Sequence, residues 1–403
     1  LISHRRSGFA LLSRFKWAGC MLDRLDARSR VAEIAASADL RAVDITAGNA
    51  DGETFGWAWS GDGFRSATPV GTARRYLVAS LTKPIVATLA VQLAAEGHVV
   101  LNEPVREEVA GFHRGPLRTI TPRHLLTHTS GLPDMLADNI ALRREQSPLS
   151  EFVRRTAECV PDFPAGTACQ YSSMGFAVLA AMIESRLRRP LPQVLNERLF
   201  RPLGMRDTWL GLPEEQASEL LPTVLPCELP DWQSGAAEWN WNSRYWRTLG
   251  AAWGGLMSTA SDLGRIATLI LNDGRLQDGR RVLSAAVVEA VCRNQSRPQS
   301  RLPGFDRHNR PWGFGWRFNW PDHSTCFSDF LPASAIGHWG ATGTLMWLDR
   351  RSQRWCVILT TQPYEHSQPA IQRMSNVIAA DDSLFQLNAN STGTSHDISG
   401  LPA

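Results

Sequence analysis

The run Leu77-Val78-Ala79-Ser80-Leu81-Thr82-Lys83-Pro84-Ile85-Val86-Ala87 constrains this chain more than any other stretch. An apolar approach leads to a serine, a lysine follows three residues on, and the helix after it is apolar on nearly every side through Leu93 and Ala94. A helix with no polar face is buried inside a domain. Residues three apart on a helix share a face, so Ser80 and Lys83 are expected to point the same way. They do so at a helix N-terminus, where the dipole favours a developing alkoxide. Pro84 is tolerated there because first-turn N–H groups have no intrahelical partner. A lysine at the start of a buried helix loses hydration, which lowers its pKa and makes it a usable base.

Composition sharpens the point. Lysine and arginine together number 42, yet only Lys16 and Lys83 are lysines. Arginine keeps its proton at working pH and cannot act as a base. A chain that uses arginine almost everywhere but lysine at position 83 has placed a deprotonatable amine beside a serine. Ser13-Arg14-Phe15-Lys16 has the same spacing, but no buried helix follows it.

The 403 residues allow one large domain or two to three smaller ones. A net charge of +3 is too small to call for nucleic acid or an acidic membrane surface, and no transmembrane run occurs. Seven scattered cysteines include no C-x-x-C pair, which reads as reduced thiols rather than a zinc knuckle or a disulfide framework. A cytoplasmic location is expected, with export left open. Arg5-Arg6 and Trp17-Ala18-Gly19-Cys20 loosely imitate an export signal, but Arg14 and Lys16 interrupt its apolar core. Met21 is a candidate natural start. His124 and His128 are four apart, but no glutamate follows His124 as a zincin helix requires, so they read as packed or capping side chains and no metal or cofactor is expected.

Along the chain, an amphipathic helix is expected from Met21 to about Ser37, then a hairpin of strands Val43–Ala47 and Thr54–Ser60, and a β run Arg75–Ala79 before the Ser80 helix. Helices dominate the middle. Strand signals return at Trp312–Trp316, Leu345–Leu348 and Trp355–Thr361, and a final helix is placed at Pro369–Ala380. Between Asp231 and Trp253 lie five tryptophans and Tyr245, which suit a pocket wall or a satellite core under a loop. The simplest architecture is α/β of the α+β kind. One antiparallel sheet is made from N- and C-terminal segments and covered by terminal helices, with a large helical region inserted and the cleft between them. Residues 1–20 read as a disordered basic arm, 21–380 as one domain and 381–403 as a disordered polar tail.

At this point the residues resemble the serine β-lactamase and penicillin-binding-protein superfamily. The nearest branch holds class C β-lactamases, family VIII carboxylesterases, and serine D-alanyl-D-alanine carboxypeptidases and D-aminopeptidases. Ser80-Leu81-Thr82-Lys83 is similar to the nucleophile motif, Tyr171-Ser172-Ser173 to Tyr-x-Asn, and His338-Trp339-Gly340 to the Lys/His-Thr-Gly motif on the strand edging the site. The resemblance covers about Val43 to Ala380 and implies a β-lactamase/transpeptidase-like fold. It also implies roles. Ser80 forms an acyl-enzyme, and Lys83 and Tyr171 share the base role, the phenol being easier to ionise beside an ammonium. The N–H groups of Ser80 and Ala341 form the oxyanion hole, and His338 orients Tyr171 or meets substrate.

Two departures bear on substrate. Ser173 stands where the family has asparagine, and Trp339 where threonine is usual. Asparagine offers a donor and an acceptor to the amide of a β-lactam or peptide, and serine is shorter. The expectation is a serine hydrolase acting on small-molecule esters or amides, foremost a carboxylesterase on short-chain esters. A β-lactamase or D-alanyl-D-alanine carboxypeptidase/D-aminopeptidase is the alternative, and a catalytically silent ligand-binding homologue is the alternative of another class.

Overall fold

The computed structural model describes residues 26–61, 74–320 and 327–386. The expected basic arm, Lys16, Cys20, Cys326 and the last part of the tail lie outside them.

Helix α1 (Ala27–Ser37) leads into strands β1 (Ala42–Asn49) and β2 (Gly52–Ser60). The short β3 (Tyr76–Leu77) precedes a single tight turn at Ala79–Leu81 and then helix α2 (Thr82–Ala95). The helical region includes α3 (Pro122–Leu126), α4 (Asn139–Arg144), α5 (Leu149–Thr156) and α6 (Met174–Leu187). Strands β4 (Trp209–Leu210) and β5 (Leu256–Ser258) follow, then β6 (Arg317–Phe318), β7 (Ile336–Gly340), β8 (Thr344–Asp349) and β9 (Arg354–Thr360). A helix over Tyr364–Ala380 closes the body. The main sheet is antiparallel in the order β2-β1-β9-β8-β7-β6, so the N-terminal hairpin sits against the C-terminal strands as expected.

Both faces of this sheet are covered, which is why β8 and β9 read as nearly unbroken apolar runs. Their side chains alternate. Leu345, Trp347, Cys356 and Ile358 pack with Val31, Ile34 and Met374 of the two terminal helices, whereas Met346, Leu348, Val357 and Leu359 join the core of the helical region. That larger core surrounds α2, of which every residue from Thr82 to Leu93 is buried.

Four expectations are corrected. The β run at Arg75–Ala79 shrinks to Tyr76–Leu77 and belongs to a separate sheet, β3-β5-β4. Trp312–Trp316 is a turn, in which Gly313 N–H donates to Trp316 O and Gly315 takes a φ of +70°; the strand is Arg317–Phe318. The last helix starts at Tyr364, five residues before Pro369. A proline inside a helix leaves the carbonyl four residues earlier without its N–H partner, and here that residue, Glu365, is exposed to water. Finally, the body does not stop at Ala380. Phe385 is buried beside Trp347, its carbonyl accepts from Asn49 Nδ2 at 2.9 Å, and a short turn spans Asp382–Phe385.

Candidate active site

The turn carrying Ser80 is held from three sides. Ala79 adopts a φ of +46°, a sparsely populated conformation for a residue with a Cβ, and such strain persists only where neighbours fix it. Thr82 Oγ1 donates to Ala79 O at 2.6 Å and accepts from Leu256 N on β5 at 3.1 Å. From the main sheet, Thr342 Oγ1 donates to Leu77 O at 2.6 Å and Thr344 Oγ1 to Val78 O at 2.9 Å. Gly340 is the close approach between the two. A Cβ there would sit 2.4 Å from Val78 O and 2.3 Å from Thr344 Oγ1, so β7 can lie beside the turn only with glycine.

Lys83 is wholly buried, as the helix pattern requires. Its Nζ lies 3.1 Å from Ser80 Oγ and donates to Trp253 O at 2.8 Å. Burial brings its pKa down to about 7, and the negative charge of Asp134 opposes that shift. Tyr171 is placed 4.6 Å, ring centroid to Nζ, from the same amine, and the Ser80 side chain lies beside its phenol. The expected easing of phenol ionisation is reversed here. Burial pushes the Tyr171 pKa well above 10, outweighing the lowering by the neighbouring Ser80 side chain. At neutral pH the phenol keeps its proton, and the amine is the group poised to accept one.

Tyr171 owes its position to His128. Gln170 N–H donates to His128 O at 2.9 Å and Ser172 N–H donates to His128 Nδ1 at 3.1 Å, so the residues on both sides of Tyr171 are bonded to one histidine. His128 is fully buried, has a φ of +56°, and is held neutral by burial, with the charge of Lys83 acting in the same direction. His124 caps α3 in a reciprocal box with Thr121. Both histidines therefore have structural partners of the packed and capping kinds.

His338 on β7 is buried, with its Nδ1–H donating to Trp339 O at 2.6 Å and its ring 5.8 Å from that of Tyr171. Burial holds it neutral, again with Lys83 acting in the same direction. Its Nε2 has no hydrogen-bond partner among the described residues. Ser173 immediately precedes α6 without a side-chain capping bond, and its N–H donates to Asp134 Oδ1 at 2.9 Å. Ala341 follows the end of β7, and its carbonyl accepts from Tyr364 N at 2.9 Å.

Ser80, Tyr171, Ser173, His338, Trp339 and Ala341 all face one cavity of about 760 Å³. The Trp-rich segment supplies part of its wall through Trp232, Trp241, Trp246 and Trp253, and the last three belong to the main core rather than to a satellite one, so the pocket-wall reading of that segment holds. Sequence reasoning missed Asp134 and Arg317, which face the same cavity. Asp134 directly follows the Leu132-Pro133 turn. Arg317 lies over the rings of Trp339 and Trp312, at 4.1 and 5.6 Å, with its pKa brought down to about 10 by burial. No local pattern marks either one, because their neighbours come from distant segments.

Comparison with known proteins agrees with this fold. Penicillin-binding protein 4 of Amycolatopsis lactamdurans is 32% identical over 269 residues, covering 66% of this chain and 65% of that protein. Esterase EstB of Burkholderia gladioli is 36% identical over 149 residues, 33% of this chain and 37% of that one. The chain thus spans less than two thirds of these curated relatives. Among solved structures, a penicillin-binding protein homologue from Caulobacter crescentus superposes with a TM-score of 0.69 at 20% identity, over 88% of this chain and 97% of that one. EstCE1, described as a hydrolase with promiscuous acyltransferase activity, superposes with a TM-score of 0.66 at 16% identity, over 88% and 98%. The family model described as Beta-lactamase matches residues 42–380, and the chain belongs to that family.

Proposed function

We propose that this protein is a serine hydrolase that forms an acyl-enzyme on Ser80, and that short-chain esters are its preferred substrates. The observation that carries the reading is the 3.1 Å contact between Ser80 Oγ and the wholly buried amine of Lys83, whose pKa lies at about 7. A base is most effective when its pKa is near the working pH. The neutral amine takes the Ser80 proton as Oγ attacks the acyl carbon. The N–H groups of Ser80 and Ala341 receive the charge that develops on the carbonyl oxygen. Tyr171 passes its proton to the departing alkoxide and regains one from Lys83. Water then attacks the acyl-enzyme, and its proton returns through the same pair to Ser80.

Ester preference is supported by Ser173 and Trp339, which replace two polar partners of an amide side chain, and by the likeness to EstB over a third of the chain. The likeness to penicillin-binding protein 4 supports β-lactam or D-alanyl peptide turnover as the second reading. Leaving a buried polar group unpaired costs ~1–3 kcal/mol, or roughly 5- to 150-fold in rate. The test is p-nitrophenyl butyrate against nitrocefin, with native chain and Ser173→Asn. The native chain should favour the ester, and Ser173→Asn should raise acylation by nitrocefin relative to the ester. Equal changes on both substrates, or nitrocefin turnover already as fast as the ester, would defeat this reading.

A further inference from the structure

The wall that helix α4 contributes to the cavity contains an arginine whose positive charge is unmatched among the described residues. Arg143, near the end of α4, is 3% exposed and faces the cavity. Its guanidinium lies 3.9 Å from the Trp246 ring centroid and 5.5 Å from that of Trp232. Its one side-chain hydrogen bond runs from Nε to Asn139 Oδ1 at 3.2 Å, and Nη1 has no acceptor among the described residues. No aspartate or glutamate among the described residues forms an ion pair with it. Asp134, which faces the same cavity, is bonded to Ser173 N instead. Two further buried donors of this wall, Trp246 Nε1 and Trp253 Nε1, also lack acceptors among the described residues.

Buried charges are almost always paired, and an isolated one is costly. A buried arginine on two aromatic faces, in a cavity wall whose buried indole N–H groups can only donate, is short of an acceptor that carries negative charge. The guanidinium fork matches a planar carboxylate in bidentate geometry. The apolar walls suit a hydrocarbon spacer. The site is also linked to the chemistry: Trp253 O accepts from Lys83 Nζ, the Trp253 ring stands 6.4 Å from that of Trp246, and Arg143 lies on Trp246.

We infer that Arg143 anchors a carboxylate subsite, so that the favoured substrates are esters carrying a second, negatively charged end separated from the reacting group by a hydrocarbon spacer. This rests on the ester-hydrolase reading and names its substrate class. Binding of that end neutralises the guanidinium and positions the reacting carbonyl over Ser80.

The test uses p-nitrophenyl butyrate as the neutral reference. Mono-p-nitrophenyl esters of glutaric to suberic acid place the carboxylate at the acyl end, and butyryl esters of ω-hydroxy acids place it at the alcohol end, with their methyl esters as the uncharged control. The native chain should favour the charged ester in one series. Arg143→Gln should lower the charged-to-neutral ratio of kcat/KM by roughly 10- to 100-fold, the range for a lost charge-assisted hydrogen bond, and Arg143→Lys should restore part of it. Neutral esters turned over with no charge preference in either series would overturn the subsite while leaving the hydrolase reading intact. So would a preference that survives Arg143→Gln. If no ester is turned over, the hydrolase reading fails separately. Titration calorimetry of the Ser80→Ala chain with monomethyl glutarate and with methyl butyrate then reads the subsite directly, and equal binding of the two overturns it. The same titration decides the matter if Arg143→Gln does not fold.

Discussion

At the scale of single residues, the account turns on one proton acceptor. Lys83 is one of two lysines among 42 basic residues, and its burial brings its pKa to about 7, so roughly half the amine is free near neutrality. In the proposed mechanism the neutral amine is the active form, and kcat/KM for a neutral ester should therefore climb with pH through a midpoint near 7. Lys83→Arg retains the charge but cannot accept a proton, and it should cost ~10²- to 10⁴-fold in kcat, the range of positioned proton transfer. Near-native rates in the arginine variant would make the role of Lys83 purely electrostatic. The Ser80–Lys83 pair was legible in the sequence because its geometry is local, three residues along one turn, with an apolar helix behind it. Tyr171 was found through its motif. The reversal of its expected acidity was not legible, because it depends on how much of the rest of the chain closes over the phenol. Arg143 was missed for a related reason: a charged residue in a short helix reads as surface until packing buries it. Asp134 stays exposed, and it was missed because its partner, Ser173 N–H, comes from a distant segment.

At the scale of elements, the site is built where β7 meets the turn before α2. Gly340 sets that separation, and the hydroxyls of Thr342 and Thr344 close it. Gly340→Ala should push β7 away from the turn. Overpacking of this kind costs ~1–3 kcal/mol of stability, visible as a lower urea midpoint. Misplacement of a catalytic group by about 1 Å costs ~10²-fold in rate, so kcat should fall further than stability does. Unchanged kcat would show that β7 does not set the geometry of Ser80. The hairpin at β1 and β2, the covered strands β8 and β9 and the buried helix α2 were readable from periodicity. The short strands β4 and β6 were not, since two residues carry no period, and β6 was displaced by the Gly313–Gly315 turn, while β3 was read but drawn too long. The last helix was placed too late because Pro369 looked like a start, whereas Pro363 precedes it and Glu365, whose carbonyl loses its partner, faces water.

At the scale of the whole molecule, the expected sheet of two chain ends with an inserted helical region is the observed one, and the cavity opens between them. No helix among the described residues is long and apolar enough to cross a membrane. A buried amine also leaves a mark on global stability. Lys83 has a folded pKa of about 7 against an ordinary value of 10.5, so between those values the unfolded chain binds more protons. Stability should therefore rise with pH across that window relative to Lys83→Met. Tyr171, whose folded pKa is raised, contributes the opposite sign above about pH 10, so the comparison belongs between pH 7 and 9. A difference in urea midpoint that stays flat over that range would contradict a depressed pKa at Lys83. The claim on which everything else depends is that Ser80 is the nucleophile, and intact-mass measurement after reaction with a fluorophosphonate tests it most directly. Attack by Ser80 Oγ on phosphorus expels fluoride and leaves one covalent adduct. The account predicts a single adduct on the peptide containing Ser80, with neither adduct nor ester hydrolysis in Ser80→Ala. An adduct on a different residue, or hydrolysis that survives the substitution, would contradict it.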